Sequence, residues 1–121
     1  MHAIANVRTR YYQLVKRLGE PDFVREGSYL NPTEKDLEHC YDSKVSVMWG
    51  MDYEGKKEVE EKYKKWGFAV NDWKEDETPK GLYMWTIRGE NEQAMYKFER
   101  MTGLTAIPLF WRREDVKEEV E

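Results

Sequence analysis

The stretch "LYMWTIRGENEQAMYKFERMTG", Leu82 to Gly103, changes its hydrophobic period at Gly89. Before that glycine the residues alternate. Tyr83, Trp85 and Ile87 fall on one side, and Leu82, Met84, Thr86 and Arg88 on the other, which is the pattern of a half-buried strand. After it, Ala94, Met95, Phe98 and Met101 recur at helical spacing, and Gly103 is placed to take a helix C-cap. A strand that runs almost directly into an amphipathic helix must bury one apolar face against the other. This predicts an α+β domain with helices packed on one face of a small antiparallel sheet of three or four strands.

The flanking segments extend this picture. Upstream, "WGFAVNDW" alternates with Trp66, Phe68 and Val70 on one side and Ala69, Asn71 and Trp73 on the other, and "KEDETPKG" reads as a polar turn. "KVSVMWGMDYEG" alternates in the same way: Val45, Val47, Trp49, Met51 and Tyr53 against Ser46, Met48, Gly50 and Asp52, closed by a turn at Glu54-Gly55. Between these strands, Val59, Tyr63 and Trp66 of "KKEVEEKYKKWG" favour a short charged helix, with an irregular hairpin extension as the alternative. "TRYYQLVKRLGEP" carries a stripe of Tyr11, Leu14, Val15 and Leu18, with Thr9 as the expected N-cap, Gly19 in the left-handed C′ position and Pro21 as a stop. A short helix from Thr33 is expected in "NPTEKDLEHCYD". Downstream, "LTAIPLFW" reads as a last extended segment with Pro108 marking a sheet edge. Residues 1–110 form one domain on this reading, and 111–121 a charged tail.

The strand parities divide the sheet. Val47, Trp49, Phe68, Val70, Trp85 and Ile87 are assigned to the helix-covered core. The opposite face collects Ser46, Met48, Gly50 and Asp52 from the first of these strands, Ala69, Asn71 and Trp73 from the second, and Leu82, Met84, Thr86 and Arg88 from the third. A flat ring, a few polar groups and one cation are the residue types that line small-ligand sites, and also those enriched in protein interfaces. Trp73, Arg88, Asn71, Thr86 and Met84 are therefore the candidate ligand-binding residues. Structural cover of this face by segment 22–43 or by the C-terminal strand is the competing reading.

Composition narrows the function classes. The 121 residues carry 20 basic and 24 acidic side chains, for a net charge of −4, which lacks the basic excess of a nucleic-acid groove. Five Trp and eight Tyr supply large contact surfaces of low rotamer entropy. Cys40 is the single cysteine, so no internal disulfide forms and a reducing, cytoplasmic setting is expected. No apolar run is long enough to span a membrane. The opening residues "MHAIANVRTR" have no signal-peptide core. His39 and Cys40 are sequence neighbours whose side chains diverge on a helix, and no metal, phosphate-loop or nucleophile motif is present. The expectation is a protein without catalytic residues, metal or cofactor.

Taken together, "YYQLVKRLGEP", Trp49 in its alternating strand, "NDWK", and "WTIRG" ahead of a helix resemble a widespread group of small phage-encoded accessory proteins. The group shares a Y-x-x-L-V-x-x-x-G-E-P, DWK and W-x-I-x-G pattern. This chain departs from it in segment 22–43 and in the charged insertion 56–65. The resemblance implies a phage accessory gene and a role in countering host defence, in the host cytoplasm. Two modes of action fit that context. One is sequestration of a small anionic, nucleotide-like ligand by the Trp73–Arg88 face. The other is inhibition of a host defence protein, with Phe110, Trp111 and Arg112 as an aromatic hot spot. A structural phage protein with no ligand is the third reading. Neither nucleic acid nor membrane is expected as a partner, and "LTAIPLFW" is the segment suited to self-association.

Overall fold

A computed structural model describes residues 2–24, 47–51, 56–72, 79–112 and Glu114. In chain order the elements are β1 (His2–Arg10), α1 (Tyr11–Leu18), β2 (Phe23–Val24), β3 (Val47–Trp49), α2 (Lys57–Trp66), β4 (Ala69–Asn71), β5 (Leu82–Gly89), α3 (Gln93–Thr102) and β6 (Ile107–Pro108). The strands form one sheet in the order β2-β3-β4-β5-β1-β6, with every neighbouring pair antiparallel. The α+β class is as expected, but the sheet has six strands rather than three or four.

The added strands explain the difference. β1 is nine residues long and pairs along nearly its whole length with β5. Ala5, Val7 and Thr9 point inward while Asn6, Arg8 and Arg10 alternate outward. The alternation is interrupted between Ala3 and Ala5, where the register shifts and Ile4 is the extra residue of a bulge. Ile4 is buried all the same, and its carbonyl accepts the Leu109 N–H at 3.0 Å, which anchors the chain leaving β6. β2 and β6 are two-residue edge strands, and Pro108 sits on such an edge, as its missing N–H requires.

The predicted core face is the observed one. Val47, Trp49, Phe68, Val70, Trp85 and Ile87 are all fully buried, clustered with Leu14 and Leu18 of α1 and Met95 and Phe98 of α3. Trp49 and Trp85 meet edge to face at 5.6 Å. Each indole N–H is satisfied by a backbone carbonyl: Trp49 Nε1 donates to Gly19 at 2.8 Å, and Trp85 Nε1 to Thr9 at 3.1 Å. Thr9 is thus part of β1 and not a helix cap. The residue before α1 is Arg10, which makes no side-chain capping bond. Gly19 follows α1 with a φ of 87° and its N–H bonds the Val15 carbonyl, but its ψ of −172° lies outside the left-handed helical conformation expected of it. Trp66 belongs to the last turn of α2 rather than to the following strand, and stacks on Phe68 at 5.3 Å. Met101, assigned to the buried stripe of α3, is 44% exposed, and Tyr96 and Thr102 are buried instead.

Asp22 ties three elements together. One carboxylate oxygen accepts the Gly50 N–H at 2.7 Å, and the other meets Lys62 Nζ of α2 at 2.9 Å. The short helix expected from Thr33, the turn at Glu54-Gly55 and most of the charged tail lie outside the described residues. Trp111, at the start of that tail, packs against the core.

Candidate functional site

The second sheet face is built from one row of directly opposed residues that crosses all six strands: Phe23, Met48, Asn71, Thr86, Asn6 and Ile107. A second row joins Ala69, Arg88 and Ala3, and two shorter pairs set Met84 beside Arg8 and Leu82 beside Arg10. The structure therefore places Asn71, Met84, Thr86 and Arg88 on one face. Trp73 lies outside the described residues.

This face has two unlike halves. On the β3–β4 side, Met48, Ala69 and Asn71 are at most 1% exposed. On the β5–β1–β6 side, Leu82, Met84 and Ile107 are 52%, 41% and 51% exposed, and Arg8 and Arg10 are exposed beside them. Leu109 and Phe110, which follow β6, are 41% and 79% exposed.

Arg88 stands at the boundary. Its Nε donates to Asn71 Oδ1 at 2.9 Å, and burial pulls its guanidinium below the usual arginine range. The Asn71 amide in turn donates to the Asp72 carbonyl, and Asp72 Oδ1 accepts the Val47 N–H at 3.0 Å. Asn71 and Arg88, the two polar groups suited to orient an anionic ligand, are thus bonded to each other. Asn71 has no surface left to present to one. Thr86 remains half-buried between them and Asn6.

Sequence reasoning missed Arg8, Arg10 and Asn6 because β1 was not recognised as a strand. The usable signal was the alternation of Ala5, Val7 and Thr9 with Asn6, Arg8 and Arg10. The Trp111 indole N–H is buried and makes no hydrogen bond among the described residues. No three His, Cys, Asp or Glu side chains gather into a metal-binding group among the described residues. No helix among them is long and apolar enough to cross a membrane. Comparison with protein families, with curated proteins and with solved structures finds no match to this chain.

Proposed function

We propose that this protein acts without catalysis, as an accessory protein that binds and inhibits a host defence protein through the β5–β1–β6 half of its second sheet face. The observation that carries this reading is the register-aligned patch of Leu82, Met84 and Ile107 with Arg8 and Arg10 opposite the first two. Exposed apolar side chains interleaved with arginine are the composition of a protein-interface core and rim. Phe110, 79% exposed, follows β6 in the chain. The partner that fits is an apolar surface bordered by carboxylates, which would meet the two arginines. Neither arginine forms an ion pair among the described residues.

Small-ligand sequestration by this same face is the weaker reading. Small molecules favour concave sites. The hollows formed by the described residues lie between α2 and α3, and Asn71 is closed off. The phage and anti-defence context rests on the resemblance of the sequence motifs.

The test is a plaque assay on a panel of hosts, each carrying one defence system, with phage that encode the chain or lack it. Phage with the gene should plaque better on at least one defended host. A Leu82→Glu, Met84→Glu, Phe110→Glu variant should keep its melting temperature and lose that advantage. Equal plaquing with and without the gene across the panel rejects the anti-defence role. An undiminished advantage in the folded variant rejects this surface.

A further inference from the structure

The helical side of the molecule carries a different chemistry. Two adjoining hollows open between α2 and α3. The larger, about 440 Å³, is lined by Lys65, Trp66, Lys97, Arg100 and Met101. The smaller, about 280 Å³, includes Tyr63, Lys64, Gly67, Glu90 and, again, Lys97. The larger lies within the size range of small-molecule sites, and no carboxylate lines it.

Lys64 and Lys65 occupy the last turn of α2, where cations complement the helix dipole, so their presence alone is ordinary. Lys97 is not explained this way, because it lies in the middle of α3. Its stem crosses Gly67, which caps α2 with a left-handed φ of 80°. A Cβ at Gly67 would come within 2.9 Å of Lys97 Cδ and 3.2 Å of its Nζ. The glycine thus admits the lysine, whose ammonium lies beside Gly67, a residue of the smaller hollow. Arg100 follows at i+3 on the same helix face. Glu99, between them, turns its Oε2 to the Ala106 N–H at 2.7 Å. Lys65 and Lys97 form no ion pair among the described residues. The Trp66 ring is stacked on Phe68, with Lys62 Nζ 4.7 Å from its centroid, so it serves as an apolar wall more than as an open stacking platform.

We infer that the α2–α3 groove binds the phosphate groups of a small diphosphate-bearing ligand, with Lys65, Lys97 and Arg100 as its cations. Lys65, Lys97 and Arg100 all line the larger hollow, and the two lysines, which form no ion pair among the described residues, match a group of two negative charges; a single carboxylate would leave one of them uncompensated. Lysine supplies point charge and arginine a directional fork. The groove shares no residue with the proposed docking face, so either can fail without the other.

The probes are inorganic pyrophosphate, ADP, adenosine and a short single-stranded RNA, each titrated calorimetrically into the full chain. Pyrophosphate and ADP should bind and adenosine should not. Lys65→Met and Lys97→Met keep the stems and remove the charges, and each should weaken both ligands by about tenfold or more. The melting temperature of the ligand-free protein should change little. ADP binding more tightly than pyrophosphate assigns the site to nucleotides, and equal affinities assign it to the phosphate groups alone; both support the inference. It is overturned by no binding of either at millimolar concentration, by binding that persists unchanged in the Lys65→Met, Lys97→Met double variant, or by RNA binding more tightly than ADP.

Discussion

Gly89 offers a sharp test of how α3 seats on the sheet. It closes β5, is buried, and has no left-handed φ, so an alanine there meets no backbone strain of its own. The obstacle is space. A Cβ at Gly89 would lie 2.2 Å from the Ala94 Cβ and 3.4 Å from Ile4 Cδ1. Because a methyl on a helix cannot swing aside, α3 would have to move by roughly 1 Å or more to restore normal packing distance. Overpacking of this kind costs about 1–3 kcal/mol, and the upper half applies where backbone must yield. Restricting the unfolded chain returns only about 0.4–1 kcal/mol. Gly89→Ala should therefore destabilise by about 1.5–3 kcal/mol, lowering Tm by roughly 5–15 °C for a domain of this length. The decisive measurement is a double-mutant cycle with Ala94→Gly, read by urea unfolding. Alone, Ala94→Gly should cost about 1 kcal/mol in helix propensity. In the double variant the two methyls exchange places, so most of the Gly89→Ala penalty should vanish, leaving a coupling of about 1.5 kcal/mol or more. Additive penalties, or a Gly89→Ala protein that melts with the parent, would refute the close approach of α3 to β5.

Further outcomes follow from the same packing. Trp49→Ala should cost about 3–5 kcal/mol in urea unfolding, since a fully buried ring packed on Trp85 and Tyr11 is removed and the Gly19 carbonyl loses its donor; a melt within a degree or two of the parent would overturn the assignment of the core face. Arg88→Ala should destabilise by about 1–3 kcal/mol because Asn71 Oδ1 is left buried without its donor; an unchanged Tm would show that the bond contributes nothing. The phenols of Tyr11 and Tyr63 are raised above their ordinary value, by desolvation first and then by Glu20 and Glu90 respectively. Between the unfolded phenol value, about pH 10, and the raised folded values, the folded state holds more protons than the unfolded one. Stability should thus fall as pH rises through that window, and a urea midpoint that stays level there would count against these environments.

How much of this was legible in the sequence depended on length and on cover. β5 and α3 were readable because each repeats its period over eight or more residues with large side chains on one phase. The core parity of Trp49, Phe68, Val70, Trp85 and Ile87 followed from alternation alone. β1 carried the weaker signal, although it is the longest strand described, because its inward residues Ala5, Val7 and Thr9 include only one sizeable apolar side chain and the bulge at Ile4 breaks the period. β2 and β6 are too short to show one. The site was legible only by face. Alternation put Asn71, Thr86, Met84 and Arg88 together, but it could not reveal that Asn71 is enclosed and bonded to Arg88. Burial on a sheet's second face depends on what packs there, not on the strand's own pattern.

The Arg88–Asn71–Asp72–Val47 chain of hydrogen bonds links β5, β4 and β3, so the polar groups at the centre of the second face serve to hold the sheet. On the proposed reading, binding falls to the outer half, and its strength can be bounded. Leu82, Met84 and Ile107 are each about half exposed, so covering them yields roughly 1 kcal/mol apiece against the 1.5–3 kcal/mol of full burial. Phe110, 79% exposed, adds about 2 kcal/mol. The apolar total is near 5 kcal/mol, whereas micromolar affinity requires about 8 kcal/mol after association entropy is overcome. Apolar contact alone therefore does not hold a partner. Charge-assisted hydrogen bonds from Arg8 and Arg10 to carboxylates, about 1.5–3 kcal/mol each, bring the gross sum to about 8–11 kcal/mol, so both arginines are needed and further polar contacts must offset the association cost. A partner whose matching surface lacks acidic residues opposite these two arginines would not be retained.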